Sequence, residues 1–322
     1  MTMQDVNTPI DAADATDRES WLRLIERIGD EAGYFEPLGA RHWAFFVDEG
    51  PQLLVTFEEL GAIRARPGQM PLGHDIARRH GWSHLCIIAE GATWYRDRRV
   101  WGYFDRLVDD AFFEDFDRTL FFGADMGGYA ACAYAVAAPG TTVLAIRPRA
   151  TLSPAVAGWD NRNRAARRQD FTSRYGYAPD MIDGAERMFL VHDPAEPADA
   201  MHAALYRKPF VTRLDTRHLG PRPEIALAQM DLLEPLIESV ARGEMTPAVW
   251  ARMWRARRGF GPWLKNVLAR LTQGRSRLRE AIFCRAALAR QNMPRVRRRL
   301  TELETELGQQ GIALPPVLPP QE

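Results

Sequence analysis

Short apolar runs that alternate with helical stretches constrain the fold of this chain more than any other feature. Each run has the length of a strand that is buried on both faces of a sheet. Most of the runs are separated by segments long enough for a helix, such as the small-residue stretch at 126–138. The runs are HWAFFV (42–47), QLLVTF (52–57), HLCIIAE (84–90), RTLFFGA (118–124), TTVLAIRP (141–148), RMFLVHD (187–193) and FVTRLDT (210–216).

This alternation predicts an α/β fold with a mainly parallel sheet and helices on both faces. The turn DEGP joins the first two runs, so we predict that they pair as an opening antiparallel hairpin. Composition divides the chain into four segments. They are a disordered N-terminus (1–16), an α/β domain (17–243), a basic all-α helical module (244–312) and a Pro-rich tail (313–322).

Composition also bounds the class of protein. The N-terminus is polar and acidic, without the apolar region of a signal peptide, and no apolar run approaches the ~18–20 residues that span a bilayer. Cys86, Cys132 and Cys284 lack the CxxC spacing of a zinc site or disulfide framework. No glycine fingerprint for nucleotides occurs. We therefore expect a cytoplasmic protein without a cofactor or a bound metal.

Charge is distributed very unevenly along the chain. The formal net charge is zero, yet residues 251–300 contain fourteen arginines and Lys265 against one acid, Glu280. Arginine in place of lysine is typical of high-GC bacterial genomes, but its concentration in one segment is not explained by that bias. Apolar stripes in the same segment favour folded helices over a nucleic-acid-binding tail, since no groove-reading motif is visible. A protein partner for residues 245–312 and packing on an acidic body remain open alternatives.

The sequence GADMGGYAA follows the fourth run and places Asp125 between a strand and a helix. Glycines at 123, 127 and 128 suit a strained turn whose neighbours approach closely. Asp193 ends the strand RMFLVHD, and His218 follows the strand FVTRLDT. A nucleophile, an acid and a histidine in this order, each after a strand, are typical of a nucleophile elbow and its partners.

On these residues the chain resembles the α/β-hydrolase superfamily over roughly residues 40–243, with Asp125 where the elbow usually carries serine. A carboxylate at this position is similar to the nucleophile of haloalkane dehalogenases and epoxide hydrolases. The resemblance implies that Asp125 attacks an alkyl carbon to form an ester, while Asp193 orients His218 to activate the hydrolytic water. The amide of Met126 would donate to the oxyanion.

Several residues depart from that pattern. Met126 stands where such dehalogenases usually have tryptophan, and Glu58 and Glu59 lie in the loop expected to form the oxyanion hole. The alternative is a catalytically inactive α/β-hydrolase-like binding or scaffold protein that uses its basic helical tail for a partner, in which Asp125 forms an ion pair or caps a helix. The enzyme hypothesis predicts an open pocket for a small molecule above Asp125, and Trp94 and Tyr95 either contact that ligand or cap the core. The expected pocket residues are Phe57, Glu58, Trp94, Tyr95 and Met126.

Overall fold

A computed structural model describes residues 11–316 of the chain, and eight strands form one sheet within them. Their bounds lie within three residues of the runs expected from the sequence, except that the first strand was not expected. The strands are β1 (Gly33–Pro37), β2 (His42–Val47), β3 (Gln52–Glu59), β4 (Ser83–Ala89), β5 (Arg118–Ala124), β6 (Thr142–Ile146), β7 (Arg187–His192) and β8 (Val211–Asp215).

The sheet has the order β1-β2-β4-β3-β5-β6-β7-β8. Strand β2 runs antiparallel to both β1 and β4, and every other pairing is parallel. The predicted fold class, a mainly parallel sheet with an opening antiparallel hairpin and an all-α C-terminal module, is confirmed. The predicted membership of that hairpin is wrong, because β4 lies between β2 and β3 and the hairpin partner of β2 is β1.

Helices cover both faces of the sheet. The helices that precede the C-terminal segment are α1 (Arg18–Ala32), α2 (Leu60–Arg64), α3 (Leu72–His80), α4 (Arg98–Asp109), α5 (Met126–Tyr134), α6 (Pro154–Ala157), α7 (Ala178–Met181), α8 (Pro197–Leu205), α9 (Pro223–Gln229) and α10 (Leu233–Ala241). Four further helices follow, namely α11 (Pro247–Met253), α12 (Gly261–Gln273), α13 (Arg277–Leu288) and α14 (Pro294–Gln309). Within residues 11–316, every helix falls short of the length and apolarity that crossing a bilayer requires.

The central strands are apolar on both sides because they are buried on both sides. On β5, Phe121 packs with α4 and α5 on one face, whereas Leu120 and Phe122 pack with α10 and α11 on the other. Helix α1 covers the β2 end of that second face with Trp21 and Ile25. Burial of each such side chain contributes about 1.5–3 kcal/mol. The continuous apolar runs in the sequence are the consequence of these two cores.

The N-terminal end of the described chain differs from the sequence expectation. Residues 11–16, which composition assigned to a disordered segment, contain Ala12 and Ala15, and both are buried beside Trp21. The amide of Ala12 donates to the carbonyl of Gly68 at 3.0 Å. Small apolar residues therefore attach this segment to the core despite its polar composition. The expectations for residues 1–10 and for the end of the Pro-rich tail at 317–322 lie outside the described residues.

The C-terminal helices form two packing groups. Trp250 and Trp254 stack at 5.5 Å and belong to the same core as Leu214 of β8, so α11 packs on the sheet domain. The later helices have a small core of their own, built from Ala281, Cys284, Val296, Leu303 and Leu307. Glu280 is buried in this group and accepts hydrogen bonds from Arg299, Arg277 and Thr272. The basic segment is thus folded and is held by an internal ion-pair cluster.

Candidate functional site

The turn between β5 and α5 has the geometry of an elbow. Asp125 adopts φ 52° and ψ −113°, a region that side-chain-bearing residues rarely occupy. A Cβ on Gly127 would overlap the carbonyl of Phe57, and one on Gly123 would overlap the carbonyl of Gly127. The glycines are therefore required by close backbone approach. The turn projects the Asp125 side chain, which is 39% exposed, above the carboxyl ends of the strands.

Two arginines hold the Asp125 carboxylate. Nη2 of Arg147 lies 3.2 Å from Oδ2, and Nη2 of Arg149 lies 3.2 Å from Oδ1. Oδ1 is buried without a well-aligned hydrogen bond, so its contact with Arg149 is ionic attraction alone. Arg147 also donates two hydrogen bonds to Glu224, at 3.1 and 3.2 Å. Asp125 is therefore the exposed end of a fixed charge network.

The network continues below the site into the protein interior. Arg149, with only 2% of its side chain exposed, also pairs with Asp199 at 3.1 Å and with Asp160 at 3.4 Å. Arg162 contacts the same two aspartates from the surface side. Nδ1 of His202 accepts the Ala150 amide, so Nε2 carries the proton and donates to Asp160 at 3.0 Å. These partners hold the pKa of Asp160 far below its usual range, despite the opposing effect of burial.

A cavity of about 890 Å³ opens above Asp125. All five expected pocket residues line this cavity, and so do both residues of the Arg147–Glu224 ion pair. The remaining wall is mostly apolar, with Arg222 and Asn163 as further polar contributors. The lining includes Phe57, Glu58, Glu59, Leu72, Trp94, Tyr95, Phe122, Met126, Ile225 and Leu233.

The expected pocket residues perform structural tasks around this cavity. The Glu58 carboxylate accepts the amides of Leu72 and Gly73 at 2.7 and 2.9 Å, which satisfies the first turn of α3, and burial raises its pKa. Trp94 and Tyr95 are buried at a left-handed turn, where the Trp94 amide donates to the Met126 sulfur at 3.1 Å. The cavity floor is thus rigid and densely bonded.

Asp193 and His218 lie next to each other but face a separate cleft. Asp193 is buried, and its carboxylate accepts three backbone amides: Ala195 at 2.8 Å, His218 at 3.0 Å and Gly220 at 2.8 Å. The carbonyl of His218 accepts a hydrogen bond from Asn266 of α12 at 3.1 Å. Both residues line a cleft of about 240 Å³ that includes no residue of the Asp125 cavity.

The His218 ring has no carboxylate partner within 4.0 Å in the part of the chain that the structure describes. Its Nδ1 is buried without a hydrogen-bond partner, and burial lowers the pKa of the ring. Asp193 therefore holds the backbone of the loop that carries His218, while Arg147 fills the space beside Asp125. The structure therefore places the Asp193 carboxylate against the His218 backbone, and Asp125 pairs with Arg147 and Arg149 instead of with His218.

Replacement of Asp193 by alanine is expected to destabilise the protein by at least about 3 kcal/mol. The substitution leaves three backbone amides without their acceptor, and two of them belong to the loop after β8. Urea unfolding followed by tryptophan fluorescence measures the loss. Asp109→Ala, at an exposed residue of α4 that makes no ion pair within residues 11–316, is the control and should change stability by less than about 0.5 kcal/mol. Equal effects of the two substitutions would contradict the bracing role of Asp193.

Sequence reasoning missed the arginines and Glu224. The motif IRPR directly after β6 carries the missing signal, since two arginines follow a buried strand at the sheet edge where Asp125 was already expected. The run TTVLAIRP (141–148) places Arg147 at the end of a predicted strand, and neither arginine is among the predicted site residues. Asp160 and Asp199 gave no signal, because their partners come from distant parts of the chain.

No protein-family model matches the chain, and a search of curated proteins finds no significant match. Among solved structures, an esterase domain from a Rhodothermus marinus protein is 21% identical, with 65% of this chain and 96% of that chain aligned and a TM-score of 0.39. The capsule O-acetyltransferase of Neisseria meningitidis serogroup A is 13% identical, with 65% and 94% aligned and a TM-score of 0.41. An esterase of Pyrobaculum calidifontis is 12% identical, with 76% and 97% aligned and a TM-score of 0.41.

Likeness at this level assigns no activity, so the fold rests on the observations made within this chain. They are the eight-stranded sheet with β2 antiparallel, the strand order, and a strained elbow between β5 and α5. The chain therefore has the α/β-hydrolase fold, with Asp125 at the strained turn between β5 and α5.

Proposed function

We propose that this chain is a small-molecule-binding protein built on the α/β-hydrolase fold, and that Asp125 contacts the ligand without attacking it. One observation carries the proposal: the Asp125 carboxylate lies 3.2 Å from both Arg147 and Arg149. Two guanidinium groups stabilise the carboxylate anion and so weaken it as a nucleophile. Esterification would remove its charge and leave both arginines with a weaker partner.

The second half of a hydrolytic mechanism also lacks support from the geometry. A base must lie within hydrogen-bond reach of the water that it activates. His218 lines another cleft, and its backbone is fixed there by Asp193 and Asn266. Arg147, a permanent cation, occupies the neighbourhood of Asp125 and cannot accept a proton.

The cavity indicates the chemistry of the ligand. Its wall offers Phe57, Met126, Ile225 and Leu233 to an apolar or aromatic body, and pockets of this size suit small molecules. At the floor, the exposed edge of the Asp125 carboxylate accepts hydrogen bonds from a hydroxyl or amino group. We therefore propose an apolar ligand that carries a hydrogen-bond donor at one end.

Hydrolysis with Asp125 as nucleophile, His218 as base and Asp193 as orienter is the second candidate. The elbow backbone favours it, because φ 52° at Asp125 costs free energy that a purely structural turn does not need. This mechanism would require the loop after β8 to move so that His218 reaches the cavity. The two candidates make opposite predictions about a covalent intermediate.

Intact-mass spectrometry with alkyl halides and epoxides distinguishes them. We expect no adduct on the wild-type protein or on His218→Gln, because the arginine-held carboxylate does not attack carbon. The control is Asp125→Asn, which cannot form the ester under either candidate. An adduct on His218→Gln that is absent from Asp125→Asn would establish the hydrolase and overturn the binding proposal.

Binding is tested with 2-phenylethylamine and 2-phenylethanol as probes, by isothermal titration calorimetry. Asp125→Asn should weaken the amine by about tenfold, which corresponds to about 1.4 kcal/mol, and should weaken the alcohol less. Ethylbenzene has the same body without a donor, and its affinity should not change. Equal affinity of wild type and Asp125→Asn for the amine would place the ligand contact elsewhere.

A further inference from the structure

Opposite charges of this chain are concentrated at two ends of the fold, and the proposed function of the pocket does not account for them. The basic end is the segment 251–309, which forms α12, α13, α14 and part of α11, and its fourteen arginines and Lys265 face four glutamates, which gives a formal charge of +11. The acidic end comprises residues 11–51 and 105–117, where sixteen acidic residues face five arginines. Its formal charge is therefore −11, which cancels the basic end.

The two ends lie at opposite edges of the sheet. The acidic end includes α1, β1 and β2, and Arg106 pairs with Glu36 to join the second acidic segment to β1. The basic end attaches beyond β8, where Trp263 donates to the carbonyl of Arg217 and Asn266 to that of His218. Seven strand spacings of about 4.8 Å separate the edges by roughly 34 Å. This is several times the Debye length of about 8 Å at physiological ionic strength.

The basic end is therefore not neutralised by the body of the same molecule. Every ion pair within 4.0 Å that the structure shows for its arginines goes to Glu280, Glu302, Glu304 or Glu306, all in α13 and α14. Exposed arginines with no such pair in the described range of the chain include Arg255, Arg258, Arg279, Arg290, Arg295, Arg297 and Arg298.

The acidic end also displays exposed charges. On the last turns of α1, Glu26, Asp30 and Glu31 are exposed and make no ion pair among residues 11–316. Five further exposed acids lie at 109–117, beside the ring of Phe112 that packs on Phe46 of β2. Two complementary surfaces of equal and opposite formal charge are thus displayed on one chain.

We infer that the basic end of one copy of this chain binds the acidic end of a second copy. The formal charges of the two ends, +11 and −11, are equal and opposite, so the partner that neutralises each end without excess is the chain itself. In a reciprocal dimer, the basic end of each copy contacts the acidic end of the other, so all four charged ends are paired in one closed assembly. The association depends on ionic strength, because it rests on exposed charges.

Sedimentation velocity of the full chain tests the inference. At about 20 mM NaCl we expect a concentration-dependent dimer, and at about 500 mM NaCl a monomer. The basic-end variant Arg290→Glu/Arg295→Glu/Arg298→Glu and the acidic-end variant Glu26→Arg/Asp30→Arg/Glu31→Arg should each be monomeric at low salt. An equimolar mixture of the two variants should associate again, because the new glutamates of one variant's basic end meet the new arginines of the other variant's acidic end.

The control Arg78→Glu/Arg168→Glu/Arg207→Glu changes the net charge as much as the basic-end variant does, at exposed arginines outside both ends. It should dimerise like the wild type, and circular dichroism verifies that all variants are folded. A monomeric wild type at low salt overturns the inference. So does a dimer that the control abolishes equally, or a monomer that instead binds duplex DNA or phosphatidylserine vesicles through the basic end.

Discussion

Acidification from pH 6.5 to about pH 4 is expected to reduce the free energy of unfolding by several kcal/mol. Burial lowers the pKa of His42 and of His74 from 6.5 to about 4, so both rings are neutral in the folded protein across this range. The unfolded chain takes up these protons from pH 6.5 downwards, whereas the folded protein resists until about pH 4. Each ring therefore lowers the free energy of unfolding by about 2–3 kcal/mol near pH 4 relative to pH 6.5.

The surroundings of the two rings explain the resistance to protonation. Nε2 of His42 contacts the Thr93 hydroxyl at 2.8 Å, while its Nδ1 has no hydrogen-bond partner. His74 packs edge-on against Phe45 at 5.5 Å, close to the buried ring of His84. A positive charge on either ring would lose its hydration, and this loss outweighs the attraction of Asp97, 3.8 Å from His42, and of Asp75 beside His74.

Urea unfolding at half-unit intervals between pH 7.5 and 4 measures this loss. His74→Phe keeps an aromatic ring without a titrating group and should remove about 2–3 kcal/mol of the pH dependence. Asp160 adds to the loss of stability only at lower pH. Its pKa is depressed in the folded protein, so its stabilising effect is lost where the unfolded carboxyl, with its ordinary pKa, takes up a proton. Glu58, whose pKa burial raises, has the opposite effect on stability as the pH falls. An unchanged pH profile in His74→Phe would show that this ring does not titrate as described.

Arg149→Met is expected to destabilise the protein by about 3–5 kcal/mol. The methionine fills similar space, but Asp160 and Asp199 remain buried with one cation fewer, and an uncompensated buried charge is far more costly than an intact pair is favourable. The Asp125 carboxylate also loses one of its two arginines. Equilibrium unfolding in urea at pH 7 measures the change.

Arg162→Met is the matched control for that experiment. Arg162 contacts the same two aspartates, but 35% of its side chain is exposed, so water replaces part of the lost interaction. We expect it to cost about half as much as Arg149→Met or less. Arg149→Lys keeps the charge without the planar fork and should fall between the two. A larger loss for Arg162→Met would show that the surface arginine, rather than the buried one, stabilises the network.

The sheet was predictable from sequence because strands buried on both faces are written as continuous apolar runs. The run at 118–124 coincides with β5, and the run at 42–47 coincides with β2. β1 was missed because GYFEP is half-exposed at an edge and lacks that pattern. The hairpin was misassigned because a short turn at 48–51 indicates reversal of direction but does not determine which strand becomes the neighbour.

The elbow was predictable as a turn, since glycines at 123 and 127 are needed for close backbone approach. The environment of Asp125 was not, because Arg147 and Arg149 follow β6 whereas Glu224 lies on α9, and only the packed fold brings them together. The position of His218 depended on the path of a loop. That path is determined by the amides of His218 and Gly220, which donate to Asp193, and by α12, and these contacts have no local signature in the sequence.

The elbow has a practical consequence for chemical labelling. Its backbone is fixed by glycines and neighbouring carbonyls, so the direction in which residue 125 points does not depend on which side chain it carries. All three native cysteines are buried, and burial raises the thiol pKa of Cys132 to about 12 and of Cys284 to about 11. A thiol introduced at position 125 would therefore be the accessible one, and an environment-sensitive dye attached there would report directly on whether the cavity is filled.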